Sequence, residues 1–508
     1  MLEQPQELAS SDVEWQRSVR PADWPEPTPA AVYDLVVIGG GTAGLVCAGG
    51  AGGLGAKVAL IESRLMGGDC LNYGCVPSKA ILASARRVGS TTASPEWGTE
   101  WGIVGPKPQV DFAAVMNRMR SLRAQLSRHD SPNRFRDQYG VDVFFGHAQF
   151  QGPSTLQVGS HSLKFRRAVI ASGARATVPE IPGLATSGYH TNETIFSLTQ
   201  LPPRLVILGG GPIACELGQA FARFGSQVTL LVRSQQLCRR EDADISAQLA
   251  ESLQADGVRI RFGTELRRVE GDTNGQRLTL RTASGEESLE SDCLLVAVGR
   301  TPNLESLNLS AAGVVHSERG IAVDDHLRTS NRAIFVAGDC MGGVQFTHAA
   351  DAMARIVIRN ALFFGREKFS TRVIPHVTYT QPEIATVGLT QADAQERRIA
   401  VDVLEESFAK LDRAVLDGEP NGKLRVLLQA GTDRILGATI IGNHAGDLIA
   451  PVIQAMQLKI GLRRIANLVL PYPTQAEIFR KIADAANRQR LTPRSKWILR
   501  QILRWRFW

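Results

Sequence analysis

Asp34-Leu35-Val36-Val37-Ile38 is a continuous apolar run of the length of a buried parallel strand, and Val58-Ala59-Leu60-Ile61, closed by Glu62, is a second. Between them Gly39-Gly40-Gly41-Thr42-Ala43-Gly44 opens a helix, so the pattern reads strand, glycine turn, helix, strand. That helix carries Gly49, Gly50, Gly52 and Gly53, which lower its intrinsic stability and leave packing to compensate. The arrangement returns further on, with Arg204-Leu205-Val206-Ile207-Leu208, the turn Gly209-Gly210-Gly211-Pro212-Ile213-Ala214, and the strand Gln227-Val228-Thr229-Leu230-Leu231-Val232. Residues 109–139 set Phe112, Val115, Met116, Met119, Leu122 and Leu126 at helical spacing, which predicts a core helix. Residues 1–30 are polar and Pro-rich; they read as an irregular extension with Trp15 and Trp24 pinned to the surface. At the other end, bulky apolar residues at 498, 499, 502, 503 and 505 and Arg500 and Arg504 on another face predict a basic amphipathic helix.

Each glycine turn has the chemistry of a dinucleotide site. Glycines let the backbone approach a pyrophosphate, and the helix start favours its negative charge. Gly39, Gly41, Thr42, Ala43 and Gly44 form the first such cradle, and Glu62 stands where a carboxylate accepts from ribose hydroxyls. Gly209, Gly211, Pro212 and Ile213 form the second. Its second strand does not end in an acid: Arg233 occupies the following turn, with Arg239 six residues on. Guanidinium groups there suit a 2′-phosphate, so NADPH is expected in preference to NADH.

With 508 residues and 44% apolar content, the chain is long enough for two to four domains with real cores. Seven cysteines without a dense spacing framework fit a reducing compartment. Glu3, Glu7, Asp12, Glu14, Asp23 and Glu26 exclude a signal peptide from the opening stretch, and no apolar run is long enough to span a membrane, so a cytoplasmic location is expected. The net charge of +7 sits in the tail, where Arg488, Arg490, Arg494, Lys496, Arg500, Arg504 and Arg506 meet no acid. The rest of the chain is balanced, which gives nucleic-acid binding no electrostatic support. No resident metal site is expected.

Cys70 and Cys75 stand in Gly67-Gly68-Asp69-Cys70-Leu71-Asn72-Tyr73-Gly74-Cys75-Val76-Pro77-Ser78-Lys79. In a straight helix five residues rise about 7.5 Å, beyond the roughly 4.4–6.8 Å Cα separation of a disulfide, so a bond there needs local distortion. Gly74 permits it and Pro77 suits the first turn of a following helix; such a bond is reducible. Two buried cysteines acting as small hydrophobes are the alternative.

The whole segment closely resembles the active-site signature of the pyridine nucleotide-disulfide oxidoreductases, and the resemblance runs from about Tyr33 to about Asn487, nearest to the mercuric-reductase-like members. It implies an α/β fold with two Rossmann-like nucleotide-binding domains, for FAD and NADPH, and an α+β C-terminal dimerisation domain. The expected boundaries are 1–30 for the extension, 31–185 and 310–368 for the FAD domain, 186–309 for the NADPH domain, 369–487 for the interface domain and 488–508 for the tail. The resemblance also implies that Cys75 is the flavin-proximal thiol and Cys70 the interchange thiol, with Lys79 near the flavin and paired to Glu216. Ser172 and Gly173, Gly299 and Arg300, Asp339, and the helix start Thr347-His348-Ala349 match the family's flavin and nucleotide segments.

One departure is informative. Where relatives carry a His-Pro pair and a later Glu, this chain reads Tyr472-Pro473-Thr474-Gln475-Ala476-Glu477, and a tyrosine with an ordinary pKa near 10 is a poor proton shuttle at neutral pH. No cysteine follows Cys340, so the paired C-terminal thiols that deliver Hg(II) in mercuric reductases are missing. The leading expectation is a homodimeric NADPH:acceptor reductase with active sites shared across the interface, acting on a small acceptor such as a soft metal ion. Alternatives are a dihydrolipoyl dehydrogenase, a quinone or disulfide reductase, and a non-catalytic membrane-associated redox sensor. For the tail, peripheral contact with an anionic membrane and packing on the dimer body both stay open.

Overall fold

Aliphatic runs broken by glycine pair side by side as parallel strands in the computed structural model, which describes residues 10–92, 109–489 and 491–507. Glu3, Glu7, Arg490 and Trp508 lie outside the described residues. The chain divides into two compact units: the described residues of Met1–Gln235 with Leu253–Arg372, and those of Gln236–Ser252 with Val373–Trp508.

The first unit holds two parallel sheets. In one, Asp142–Phe145, Val58–Glu62, Tyr33–Ile38 and His161–Ile170 lie in that order, with Ile334–Val336 also on His161–Ile170. Val37 is level with Leu60 on one side and Val169 on the other, and all three are wholly buried. Thr155–Val158 and Ala148–Gly152 extend this sheet antiparallel. The other sheet runs Arg259–Phe262, Gln227–Val232, Arg204–Leu208, Cys293–Val296. A three-stranded antiparallel sheet, Glu265–Asp272, Gly275–Thr282 and Gly285–Ser291, packs with it through a shared core of Val206, Leu231, Leu278 and Leu294.

The glycine-rich helix Thr42–Gly53 is compensated by close packing. A Cβ on Gly50 would lie 2.6 Å from Ile358 of the helix Thr347–Leu362, and one on Gly52 would lie 2.5 Å from Tyr139 O. Residues 109–139 break into the helix Phe112–Ser127, a single 3₁₀ turn and the helix Pro132–Tyr139. Phe112, Met116 and Met119 are core, but Leu126 is 44% exposed, and Arg120 and Arg123 are buried instead.

The N-terminal stretch differs from the irregular extension expected. Ser10–Val19 is a helix, and Trp15 and Val19, one turn apart, are buried rather than on the surface. So short and polar a segment has little helical stability alone, so tertiary packing is what holds it. Met66 N–H donates to Val19 O at 3.2 Å, and the Arg20 guanidinium donates to Ser63 O at 2.8 Å.

The second unit is built on a five-stranded antiparallel sheet ordered Pro375–Thr378, Glu383–Gly388, Ile435–Gly442, Lys423–Gln429, Val401–Ser407. The helix Glu477–Gln489 lays Ile478, Phe479, Ile482, Ala483 and Ala486 into its core. A buried ionic knot ties residues 236–252 into this unit: Arg425 donates to Asp242 at 2.7 Å, and Glu241 meets His376 at 2.7 Å. The tail forms the helix Pro493–Phe507, none of whose residues is buried. Among the described residues no helix is long and apolar enough to cross a membrane.

Candidate active site

The first glycine turn is shaped by contacts that forbid side chains. Gly39 has φ +112°, and a Cβ there would sit 2.2 Å from Ala171 O; a Cβ on Gly44 would sit 1.7 Å from Gly39 O. The turn also braces the cysteine segment: Gly67 N–H donates to Gly40 O at 2.8 Å, and a Cβ on Gly68 would lie 2.6 Å from Gly41 Cα. Glu62 is 8% exposed and accepts from the backbone N–H groups of Gly40 and Arg64, each at 2.6 Å. Burial raises its proton affinity, opposed by those two bonds and the nearby arginines.

Cys70 lies on the short helix Gly68–Asn72 and Cys75 opens the helix Cys75–Thr92. The connection is pinned by Asn192, whose Nδ2 donates to Asp69 Oδ1 at 2.8 Å and Tyr73 O at 3.2 Å. As thiols the two cysteines shift each other's proton affinity in opposite directions. The neighbouring Cys70 thiol brings the pKa of Cys75 down to about 6, assisted by Thr347 and the charge of Lys79 and opposed by Asp69 and by the partial desolvation of a residue that still has an exposed surface. Cys75 in turn, with burial, pushes Cys70 up. The pair is thus unequal, with Cys75 the thiol that more readily becomes the thiolate. Thr347, expected only at a cofactor, places its Oγ1 3.4 Å from Cys75 Sγ.

Lys79, one turn beyond Cys75, donates to Glu216 at 2.8 Å, which brings together two of the residues singled out from the sequence. Glu216 sits on the helix Pro212–Phe224 and is 4% exposed. Burying the Glu216 carboxylate is costly unless its charge stays engaged, which the half-exposed Lys79 provides.

Beyond the thiols Arg300 bridges two carboxylates, with Nη2 3.2 Å from Asp69 and Nε 3.5 Å from Asp339, and Nη2 donates to Ala174 O at 2.7 Å. Burial raises the proton affinity of Asp339, and Arg300 opposes it. Ser172 Oγ and Arg300 Nε are buried without a hydrogen-bond partner among the described residues. A polar ligand beside Gly173, Asp339 and the start of the helix Thr347–Leu362 would satisfy such groups, so the donor set fits the FAD implied by the sequence. Ala349 is buried at that helix start, while His348 is exposed and stacks on Phe346 at 5.4 Å.

The second turn stands more open. Gly209 has φ +138°, and a Cβ there would lie 2.3 Å from Ala297 O, but nothing lies within 4 Å of a Cβ on Gly211. Pro212 begins the following helix and Ile213 is 39% exposed. Arg233 is exposed directly after Gln227–Val232; Arg239 is exposed in the second unit. Gly299 precedes the strand Arg300–Pro302.

In the second unit Tyr472 is 69% exposed and donates to Asp412 Oδ2 at 2.9 Å. That bond and the carboxylate charge raise its pKa, so it is still less able to shuttle protons at neutral pH. Glu477, 6% exposed, heads its helix, with Arg480 3.4 Å away.

Sequence reasoning missed Asp69 and Asn72, although both stand between or beside the cysteines. It also missed Asn192, Trp15 and Arg123, for which no local signal exists.

Two family models match the chain: pyridine nucleotide-disulphide oxidoreductase over residues 33–354, and the dimerisation domain of those enzymes over residues 374–483. The mercuric reductase of Staphylococcus aureus is 35% identical over 446 residues, 88% of this chain and 81% of that protein. Dihydrolipoyl dehydrogenase 3 of Pseudomonas aeruginosa is 33% identical over 463 residues, 89% and 97% of the two chains. The Cu(II) complex of the HOCl-induced flavoprotein disulfide reductase RclA from Escherichia coli superposes with a TM-score of 0.80 at 28% identity, covering 90% of this chain and 100% of that one.

Proposed function

Because the chain belongs to the pyridine nucleotide-disulphide oxidoreductases, FAD- and NAD(P)H-using enzymes with a dimerisation domain, we propose that it moves two electrons from NADPH to a small acceptor through Cys70 and Cys75. The observation that carries this reading is the placement of the two cysteines on consecutive helices, with Thr347 Oγ1 3.4 Å from Cys75 Sγ and Lys79, paired to Glu216, one turn beyond it. Bound FAD would supply the two-electron relay between nicotinamide and thiols. Gly39 to Gly44 and Glu62 would hold its nucleotide half; Ser172, Gly173, Arg300, Asp339 and the helix start at Thr347 would hold its flavin half. Arg233, exposed directly after the second strand of the second turn, supplies a cation for a 2′-phosphate.

A soft divalent ion such as Hg(II) is the acceptor class best matched to a thiolate pair. The overall balance is NADPH plus Hg(II) giving NADP⁺, H⁺ and Hg(0). Tyr472 disfavours lipoamide and glutathione disulfide, which need a proton shuttle near neutral pH. In the homodimer, Tyr472 and Glu477 are assigned to the partner subunit's Cys70. Mixed dimers of Cys70→Ser and Tyr472→Phe protomers should regain activity that each homodimer lacks; no recovery from two dead parents defeats the shared site. Steady-state NADPH consumption with Hg(II), Cu(II), lipoamide, glutathione disulfide and quinones identifies the acceptor. A metal-ion rate far above the disulfide rates is expected, and a preference for lipoamide overturns the acceptor class.

For the tail, the exposure of Trp497, Trp505 and Phe507 on an acid-free helix favours peripheral contact with anionic membrane, on an otherwise cytoplasmic enzyme. Deleting residues 491–508 should abolish salt-sensitive cosedimentation with anionic vesicles and leave NADPH oxidation intact. No binding by the full chain at low salt defeats it.

A further inference from the structure

The helix Ser10–Val19 lies before the first residue of the family match, yet its side chains reach the segment between the two cysteines. Trp15 Nε1 donates to Asn72 Oδ1 at 2.8 Å, and Asn72, 1% exposed, donates in turn to Met66 O at 3.1 Å and Gly68 O at 2.7 Å. Asn72 ends the helix that carries Cys70 and stands three residues before Cys75, so these bonds set where one cysteine helix stops and the next begins. Arg123 stacks over the Trp15 ring at 3.8 Å, donates to Asn72 O at 3.2 Å, and is held from the N-terminal helix by Asp12 at 2.8 Å. Arg120 adds a second contact to Asp12 at 3.4 Å. The segment is thus gripped from the N-terminal helix on one side and by Asn192 on the other.

We propose that the N-terminal helix is a strap for the redox pair, with Trp15 a positioning residue that acts through Asn72 to keep Cys70 and Cys75 in register. Removing the indole N–H leaves Asn72 Oδ1 a buried acceptor without its donor, and the turn that separates the thiols loses one of the bonds that anchor it, beside those from Arg123 and Asn192. Two thiols held less closely have a lower effective concentration toward each other, which weakens their disulfide relative to the dithiol.

The inference rests on reading Cys70 and Cys75 as the redox pair, and one experiment separates the two. The FAD-loaded enzyme is equilibrated in mixtures of reduced and oxidised dithiothreitol, quenched in acid, and the cysteine peptides are scored by mass for free thiol. Wild type, Trp15→Phe, Trp15→Ala and Trp24→Phe are compared, with FAD content and melting temperature recorded for each. Trp24 is the control, because its indole N–H donates to Val143 O at 2.9 Å on a sheet strand. Trp15→Phe should move the midpoint about threefold toward the dithiol and Trp15→Ala about tenfold, the loss expected for one and for several buried contacts. Trp24→Phe should leave it in place. If wild type titrates and the Trp15 variants superimpose on it, or Trp24→Phe moves as far, the strap is refuted. If wild type shows no reversible transition of this pair, the redox reading falls with it.

Discussion

The two glycine turns share one design and part company at their edges. Both carry a glycine at positive φ whose Cβ would strike a backbone carbonyl, Ala171 O for Gly39 and Ala297 O for Gly209. The first is built into its surroundings: Gly44 touches Gly39, Gly40 bonds Gly67, and Glu62 is buried with two backbone donors. The second has Ala214 in place of Gly44, open space at Gly211, and an exposed arginine instead of a buried acid. A tightly built turn suits a nucleotide that stays, and it also fixes the start of the cysteine segment. An open turn edged by a cation suits a phosphorylated nucleotide that comes and goes.

The largest test of that contrast is Gly44→Ala. Its Cβ would lie 1.7 Å from a carbonyl that cannot yield, so folded FAD-loaded protein should be lost, as read from the ratio of flavin to protein after purification. The converse change in the second turn, Ala214→Gly, should leave FAD content unchanged. Equal flavin in both variants would erase the distinction between the turns.

Next in size is the arginine beside the second turn. Arg233→Ala should raise the KM for NADPH by about tenfold or more while NADH changes little, because a charge-assisted bond to a 2′-phosphate contributes roughly 1.5–3 kcal/mol. Parallel losses for both nucleotides would show that the second turn does not read the phosphate.

A smaller effect follows from the bracing of the thiols. The pKa of Cys75 is depressed, so its thiolate is present above about pH 6 and lost as pH falls through that value. Thiolate absorbance, taken as the difference between wild type and Cys75→Ser, should show that midpoint, and Lys79→Met should move it upward because a favourable charge is gone. A midpoint in the ordinary cysteine range in wild type would contradict the assignment.

How much of this could be read from the chain follows from sequence distance. Both turns and the cysteine pair were legible, since glycine spacing and strand runs are local patterns, whereas the Lys79–Glu216 partnership, 137 residues apart, came only from the family resemblance. Asn192 was not, because its partner Asp69 is 123 residues away, nor was the approach of Thr347 to Cys75 across 272 residues. The N-terminal helix was misread for a related reason. Ten residues with few apolar positions do not declare a helix, and Trp15 becomes a core residue only once Asn72 and Arg123 are folded against it. Leu126 shows the opposite error, an apolar residue on the helical spacing that points outward while Arg123 turns in.

The central claim is that electrons leave the enzyme through Cys70 and Cys75, and replacing each thiol tests it most directly. Cys70→Ser and Cys75→Ser are assayed for NADPH consumption driven by Hg(II) and for bound FAD. The account predicts that both variants keep their flavin and lose acceptor reduction by about 10² or more, since the thiolate is the group that engages a soft ion. Wild-type acceptor reduction in both variants, with flavin bound, would contradict it.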